Sequence, residues 1–305
     1  MHYAVFMSEL EILPCPLIDS KEALQCLHRG VSTDQQDALV ATLEQLRGQD
    51  ATALGGLLIA RQQNKIVAAT WIQRASGNTA ILWPPDFGSP AATALMRAVD
   101  SILKQWRVPL AQMVIGTQAV IAPELLALAG FHRLVELDYL ALENPRPDEH
   151  CLANKLLFEP YAADQPGRLH SVLMETYKGT LDCPQLNDLR DPADVIASYR
   201  AQGDYKGENW FLVQWDCRDV GVLILAEHDG GRVVELVYMG VIPKARGRSF
   251  GDEILRHAIS HAAVGNAERL VLAVDTQNDP AKAMYLRAGF SLWDTRTVYA
   301  RIAGR

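Results

Sequence analysis

Apolar residues recur along this chain in two rhythms, one of period two and one near period 3.6. From Phe250 onward Ile254, Leu255, Ala258, Ile259 and Ala262 line one side of a helix, while Asp252, Glu253, Arg256, His257 and Ser260 take the other. Immediately before it, residues 233–242 form a run rich in β-branched side chains that ends at Pro243. The stretch 233–262 therefore predicts strand, glycine-bearing turn and helix, and the rest of the chain is organised around it.

Taken in order, residues 21–48 carry helical spacing with a break near Gly30 and Thr33. Residues 57–60 and 66–72 read as strands joined by a turn over 62–65, and a third strand over 80–83 is stopped by Pro84 and Pro85. A helix over 90–106, a strand over 111–115, a short helix over 123–128 and a strand over 134–142 follow. The second half repeats the plan: strand 156–158, helices 165–177 and 192–202 around the loop 178–187, strands 210–215 and 220–226, then the central strand, its helix, a strand over 270–275, a short helix and two closing strands.

The repetition has a fixed register. Gly130-Phe131 matches Gly289-Phe290 and Pro84 matches Pro243, and both offsets (289 − 130 and 243 − 84) are 159. Two domains of one α/β (α+β) fold are expected, each a mixed, mostly antiparallel sheet flanked by helices. Their boundaries are 1–143 and 155–305, with 144–154 as a polar, proline-bearing linker. At the same offset Glu235 faces Ser76, Asn278 faces Ala119 and Tyr285 faces Leu126, and Pro90 removes an N–H from the turn of the first copy. That copy reads as a degenerate structural partner, or as a vestigial ligand site.

Composition narrows the class. An apolar content of 49% and a charged content of 21% suit a soluble globular protein, and the net charge of −7 argues against a dedicated nucleic-acid binder. Cys15, Cys26, Cys151, Cys183 and Cys217 lack close pairing, so reduced thiols in a cytoplasm are expected, with no metal site. His257 and His261 share a helix face four residues apart without a third ligand, and they read as solvated. The opening residues lack the basic flank and apolar length of a signal peptide, and no stretch is long enough to span a membrane.

The turn after Pro243 points main-chain N–H groups at a helix N-terminus, where the helix dipole adds partial positive charge. Gly247 and Gly251 allow close approach, and Arg246 and Arg248 add charge, so a diphosphate is the natural guest. Arg246, then Ser249, then Gly251 resembles the pyrophosphate loop of the GCN5-related N-acetyltransferase (GNAT) superfamily, with Ser249 where that family places a glycine. Downstream, Asn278, Tyr285 and Gly289-Phe290 stand where the family has its Asn, Tyr and Gly-Phe. The two-domain layout resembles the superfamily's tandem-domain members.

The resemblance implies acetyl-CoA as co-substrate, held by Met239, Gly240, Val241, Arg246, Gly247, Arg248, Ser249, Phe250, Gly251 and Asn278, and a small-molecule or peptide amine as acceptor. Asn278 reads equally as a simple helix cap. Glu235 interrupts an apolar strand, and simple alternation puts it on one face with Val237 and Met239. It is a candidate general base, or an edge carboxylate in solvent. Tyr285 has a phenol that keeps its proton at neutral pH and can give it to a departing thiolate, or it simply packs between helix and sheet. Cys183 reads as an ordinary loop thiol, and Asp182, Glu175 and Tyr177 are possible amine contacts. The expected activity is direct N-acetyl transfer in a ternary complex, the alternative a catalytically silent acyl-CoA- or partner-binding protein.

Overall fold

The computed structural model describes residues 10–45, 54–117, 119–147, 155–162, 165–186 and 190–304. The opening nine residues, Cys151, residue 187 and most of the expected linker, 148–154, lie outside them. The chain forms two compact units, one reaching to Leu134 and taking back the chain from Thr297, the other Val135–Arg296.

The first unit runs β1 (Glu11–Pro14), α1 (Ser20–Gly30), α2 (Thr33–Gln45), β2 (Leu57–Gln62), β3 (Lys65–Ala75), β4 (Thr79–Trp83), α3 (Ala92–Trp106), β5 (Leu110–Gly116) and α4 (Pro123–Leu128), and ends as β6 (His132–Glu143) begins. Strands β1 to β4 pair antiparallel in sequence order. Helix α3 forms because Leu95, Met96, Val99 and Leu103 recur on one face, and all four are fully buried. Met96, Val99 and Leu103 pack beside Ile72, Leu82, Met113 and Phe131, and Leu95 beside Leu58 and Ala60, where each large side chain contributes about 1.5–3 kcal/mol.

The second unit holds the rest of β6, then β7 (Leu157–Pro160), α5 (Pro166–Tyr177), α6 (Pro192–Arg200), β8 (Trp210–Trp215), β9 (Arg218–His228), β10 (Val233–Val241), α7 (Phe250–Val264), β11 (Arg269–Asp275), α8 (Asp279–Arg287) and the first half of β12 (Ser291–Ile302). Strand β10 pairs antiparallel with β9 and parallel with β11, and β11 pairs antiparallel with β6 from Leu137 to Glu143. Two expectations change here. A single strand follows α8, because 291–302 contains neither glycine nor proline to turn it. The strand expected to close the first domain joins the second unit from Val135, because its main chain satisfies β11.

The repeat register holds in the later strands: β5 and β11, and likewise β6 and β12, have bounds 159 apart (269 − 110 and 291 − 132). It fails in the central strand. Both units have a parallel pairing of three positions, 79–81 with 110–112 and 233–235 with 269–271. The positional partner of Glu235 is therefore Ile81 and not Ser76, which lies in the turn before β4. Between Ile81 and Pro84 there is no room for the arm that β10 extends from Leu236 to Val241.

Candidate active site

The site is built where β10 leaves β11. Only Val233, Val234 and Glu235 pair with β11, and from Leu236 onward β10 is held by β9 alone. Its register against β9 jumps from Leu236↔Leu225 to Tyr238↔Ile224, so Val237 is the extra residue of a bulge. The bulge inverts the alternation. Val234 and Leu236 face the core under α7, whereas beyond the bulge Met239 and Val241 do so and Tyr238 turns toward α5 and α6. Glu235 and Met239 therefore lie on opposite faces, contrary to the face expected from simple alternation.

Glu235 accepts a hydrogen bond from His228 across the hairpin, with Oε2 2.8 Å from Nε2. This bond to the carboxylate raises the pKa of the imidazole. The pair is partly open to solvent, with side chains 37% and 29% exposed. The sequence carried a signal for it in Asp229-Gly-Gly231, a tight turn that brings residue 228 opposite Val233.

Past the strand the chain makes a short 3₁₀ turn, Pro243–Ala245, and buries Ala245. Gly247 has φ 76° with open space where a Cβ would stand. Ser249 takes φ 60° and ψ 22°, the left-handed seat that suits a glycine, and immediately precedes the first helical residue, Phe250. Gly251 needs no special φ; a Cβ there would come 3.3 Å from Met284 Sδ, so its smallness serves packing. Arg248 stacks over Trp215, 4.7 Å from the ring centre, which keeps a cation beside this turn.

Arg246 is committed elsewhere. Its guanidinium donates to Val241 O, Gly179 O and Thr176 O at 3.0, 2.9 and 2.8 Å, fastening the end of β10 to the end of α5. The same junction explains Gly240: a Cβ there would lie 2.6 Å from Tyr238 Oη and 2.8 Å from Thr176 Cβ. Tyr238 Oη and buried Thr176 Oγ1 are 2.7 Å apart. Thr176 gave no sequence signal.

On the other side of the opening, Tyr285 is buried in α8 against Phe290. Burial first, and then the negative charge of Asp182, push its phenol well above the usual range, so it holds its proton. Asn278 accepts a hydrogen bond from Ala281 N–H at the start of α8, which is the capping geometry. Asp182 Oδ1 accepts from Asp275 N–H at 3.1 Å, and Cys183 N–H donates to Asp275 Oδ2 at 3.3 Å, so the loop after α5 is pinned to the end of β11. Burial raises the pKa of Asp182 and pushes the Cys183 thiol up to about 12, which leaves that thiol a poor nucleophile.

Two clefts flank this region. One of about 210 Å³ is lined by Tyr177, Asp182, Cys183, Tyr199, Val237 and Tyr238 among others, and the other, of about 530 Å³, lies along α7 and α8 beside Asp252, Arg256, Met284 and Arg287. His257 and His261 are not solvated. His257 stacks on Phe158 at 3.7 Å and burial lowers its pKa to about 4, while His261 hydrogen-bonds Asn209 at 2.9 Å, because the face carrying them packs under β7 and β8. Among the described residues, no helix is long and apolar enough to cross a membrane and no group of three acidic, His or Cys side chains is placed to hold a metal.

Residues 173–290, from within α5 to the end of α8 and Phe290, match the Acetyltransferase (GNAT) family. The matched stretch lies within the second unit. A mycothiol acetyltransferase of Corynebacterium efficiens is 24% identical over 158 residues, which cover 48% of this chain and 53% of that relative. The chain thus spans about half the length of this curated relative. Among solved structures, a GCN5-related N-acetyltransferase from Sphaerobacter thermophilus superposes with a TM-score of 0.64 at 13% identity, covering 96% of this chain and 95% of that one. A tandem GNAT protein from the clavulanic acid biosynthesis pathway gives 0.53 at 14% identity, covering 97% and 99%. At these identities the likeness is one of fold, and the fold is the tandem GNAT arrangement.

Proposed function

We propose that this protein is an acetyl-CoA-dependent N-acetyltransferase that moves an acetyl group to a primary amine by direct attack in a ternary complex. The observation that carries it is the parting of β10 from β11 after Glu235, continuing through Met239–Gly240–Val241 into a turn that ends at the N-terminus of α7. An extended arm with one edge released can pair with the amides of a pantetheine as an added strand would. The turn at its end offers Gly247, Arg248, Ser249, Phe250 and Gly251 to a diphosphate. Arg246 serves by shaping that turn, and Asn278 by starting α8, where Tyr285 sits. The larger cleft along α7 and α8 suits the nucleotide end, with Arg256 and Arg287 at its walls.

Tyr285 is the proposed acid: a buried phenol that keeps its proton until a thiolate forms beside it. Glu235, supported by His228, is the proposed base, drawing the proton from the amine through water. The curated relatives are mycothiol acetyltransferases, which supports a small-molecule amine as acceptor. A silent binding protein has less support, because the first unit shows what loss of the arm looks like and the second unit keeps it.

The test is release of free thiol from acetyl-CoA across a panel of amines. Amine-dependent release that falls at least about a hundredfold in Tyr285→Phe supports the reading, since general acid catalysis contributes roughly 10²–10⁴. Coenzyme binding without release from any amine would overturn it.

A further inference from the structure

Strands β9 and β10 meet through the tight turn Asp229-Gly-Gly231, and their register sets Val233 opposite His228 and Glu235 opposite Ala226. Alanine is too short to meet a carboxylate across the pair, so the side chain that reaches Glu235 is the diagonal one, His228. The ring is also backed from the other side. The loop after α6 joins β9 through a 2.7 Å bond from Asp204 N–H to Glu227 O, and a Cβ on the preceding Gly203 would stand 3.0 Å from His228 Cε1 and 3.1 Å from Nε2. The imidazole thus lies between bare backbone and Glu235.

A carboxylate only accepts, so the 2.8 Å bond requires the proton on Nε2. That bond engages Oε2, and among the described residues Oε1 has no hydrogen-bond partner. We propose that His228 is a positioning residue for the transfer: its Nε2–H holds Oε2, which leaves Oε1 as the oxygen that takes the amine's proton through water, and its charge sets how strongly Oε1 draws that proton. The inference rests on the transferase reading, in which Glu235 is the base, and adds to it a residue that acts through Glu235. In the step, the amine nitrogen gives a proton to water, the water gives one to Oε1, and Nε2 keeps its own. The carboxyl group returns its proton to solvent before the next turnover.

The surroundings single out this imidazole. Its bond to Glu235 raises its pKa, burial opposes the rise, and the charges of Glu235 and Asp204 add to it. The neighbouring Glu227 is held by Lys206 and Asn209, and Asp229 pairs with Arg232 inside the turn. On β6, Tyr139 feels the charge of Glu235, but burial raises its phenol and keeps it neutral, and Arg296 over its ring is bonded by Asp294 at 2.6 Å. Among the described residues, His228 is therefore the group beside Glu235 whose charge changes close to neutral pH. Below its pKa the imidazolium stabilises the carboxylate anion and weakens it as a base. As pH rises through that value the neutral ring still donates from Nε2 and the base strengthens, so kcat should rise along an acid limb above the ordinary histidine value of about 6.5.

The experiment uses the full chain, acetyl-CoA, and the small primary amines glycinamide, ethanolamine and ethylamine, which differ in basicity. Thiol release gives kcat and KM across pH for wild type, His228→Gln and His228→Leu. A limb that stays in place when the amine is changed belongs to the enzyme, and one that moves belongs to the amine. The limb is expected to stay in wild type and to vanish in both variants. Above the limb, kcat is expected to fall roughly three- to tenfold in His228→Leu, between the worth of an exposed ion pair and that of a charged hydrogen bond. Glutamine can still donate to the carboxylate, so His228→Gln should lose less. KM and the calorimetric affinity for acetyl-CoA are expected to change little in either variant. In the protein by itself, nitrogen-15 NMR is expected to show the Nε2–H tautomer of His228 once the ring is neutral.

An acid limb that is absent or follows the amine overturns the role of His228 and leaves the transferase reading standing. So does a limb unchanged in His228→Gln, an equal loss of kcat in the glutamine and leucine variants, or an Nδ1–H tautomer in wild type. Thiol release from none of these amines, nor from a wider panel, overturns the transferase reading and this role with it, even where NMR shows the bond. If both variants fail to fold, the position of the wild-type limb and the tautomer decide by themselves.

Discussion

Arg246 Nη2 donates to the main-chain carbonyl of Thr176 over 2.8 Å, while its other two donor positions hold Gly179 O and Val241 O. One side chain thereby joins the turn after β10 to the last residues of α5, where the tyrosine-walled cleft begins. The planar fork of a guanidinium is suited to meeting several carbonyls at once, and an ammonium is not.

Arg246→Ala is expected to destabilise the second unit by about 1–3 kcal/mol, toward the lower end because part of the side chain is exposed. Arg246→Lys should recover only part of this. Urea unfolding followed by tryptophan fluorescence measures it, and a lysine variant as stable as wild type would show that the fork geometry is immaterial.

Ser249 pays a conformational cost at φ 60° that glycine would not. Ser249→Gly is expected to stabilise the fold by up to about 1 kcal/mol, offset in part by the greater freedom of glycine in the unfolded chain. A thermal melt decides the sign, and a lower melting temperature would mean that the seat is not strained.

Glycines 240 and 251 differ in what surrounds them, and substitutions should separate them. Gly240→Ala drives a Cβ into Tyr238 Oη and Thr176 Cβ and is expected to cost about 1–3 kcal/mol. Gly251→Val meets the flexible end of Met284, so the fold should tolerate it while coenzyme A binding weakens. Calorimetry on Gly251→Val showing wild-type affinity would remove the diphosphate from this turn.

His228 gives a pH dependence. Its folded pKa is raised by Glu235, so the pair's contribution is fully present below the unfolded histidine value, near 6.5, and is lost as pH rises through the higher folded value. Because the imidazole is more than one-third exposed, the effect should be a few tenths of a kcal/mol. Glu235→Gln is expected to lower the His228 pKa in an NMR titration; an unmoved titration would mean that the pair does not persist in solution.

Much of this protein was legible in its residues taken alone. The 159-residue register, the strand-turn-helix around Pro243, the Asn278 and Tyr285 helix and the closing Gly-Phe are local patterns, set by side-chain periodicity and by residues with restricted or permissive backbones. Even the left-handed seat at Ser249 follows a local rule, since the family resemblance expects glycine there.

What the residues taken alone did not show depends on neighbours distant in the chain. The bulge at Val237 inverts the faces of β10, and a one-residue slip is decided by the fit of α5 and α7 on either side, not by the strand's own apolar run. The pinning of Asp182 to Asp275, the triple bond set of Arg246, the stacking of His257 on Phe158 and the meeting of Tyr177, Tyr199 and Tyr238 join residues far apart in sequence, and their spacings carry no period that would announce them. Local patterning determined the elements and the place of the phosphate turn; packing between elements decided which side chains face the opening, because the direction of a side chain is fixed only when its strand has found both of its partners.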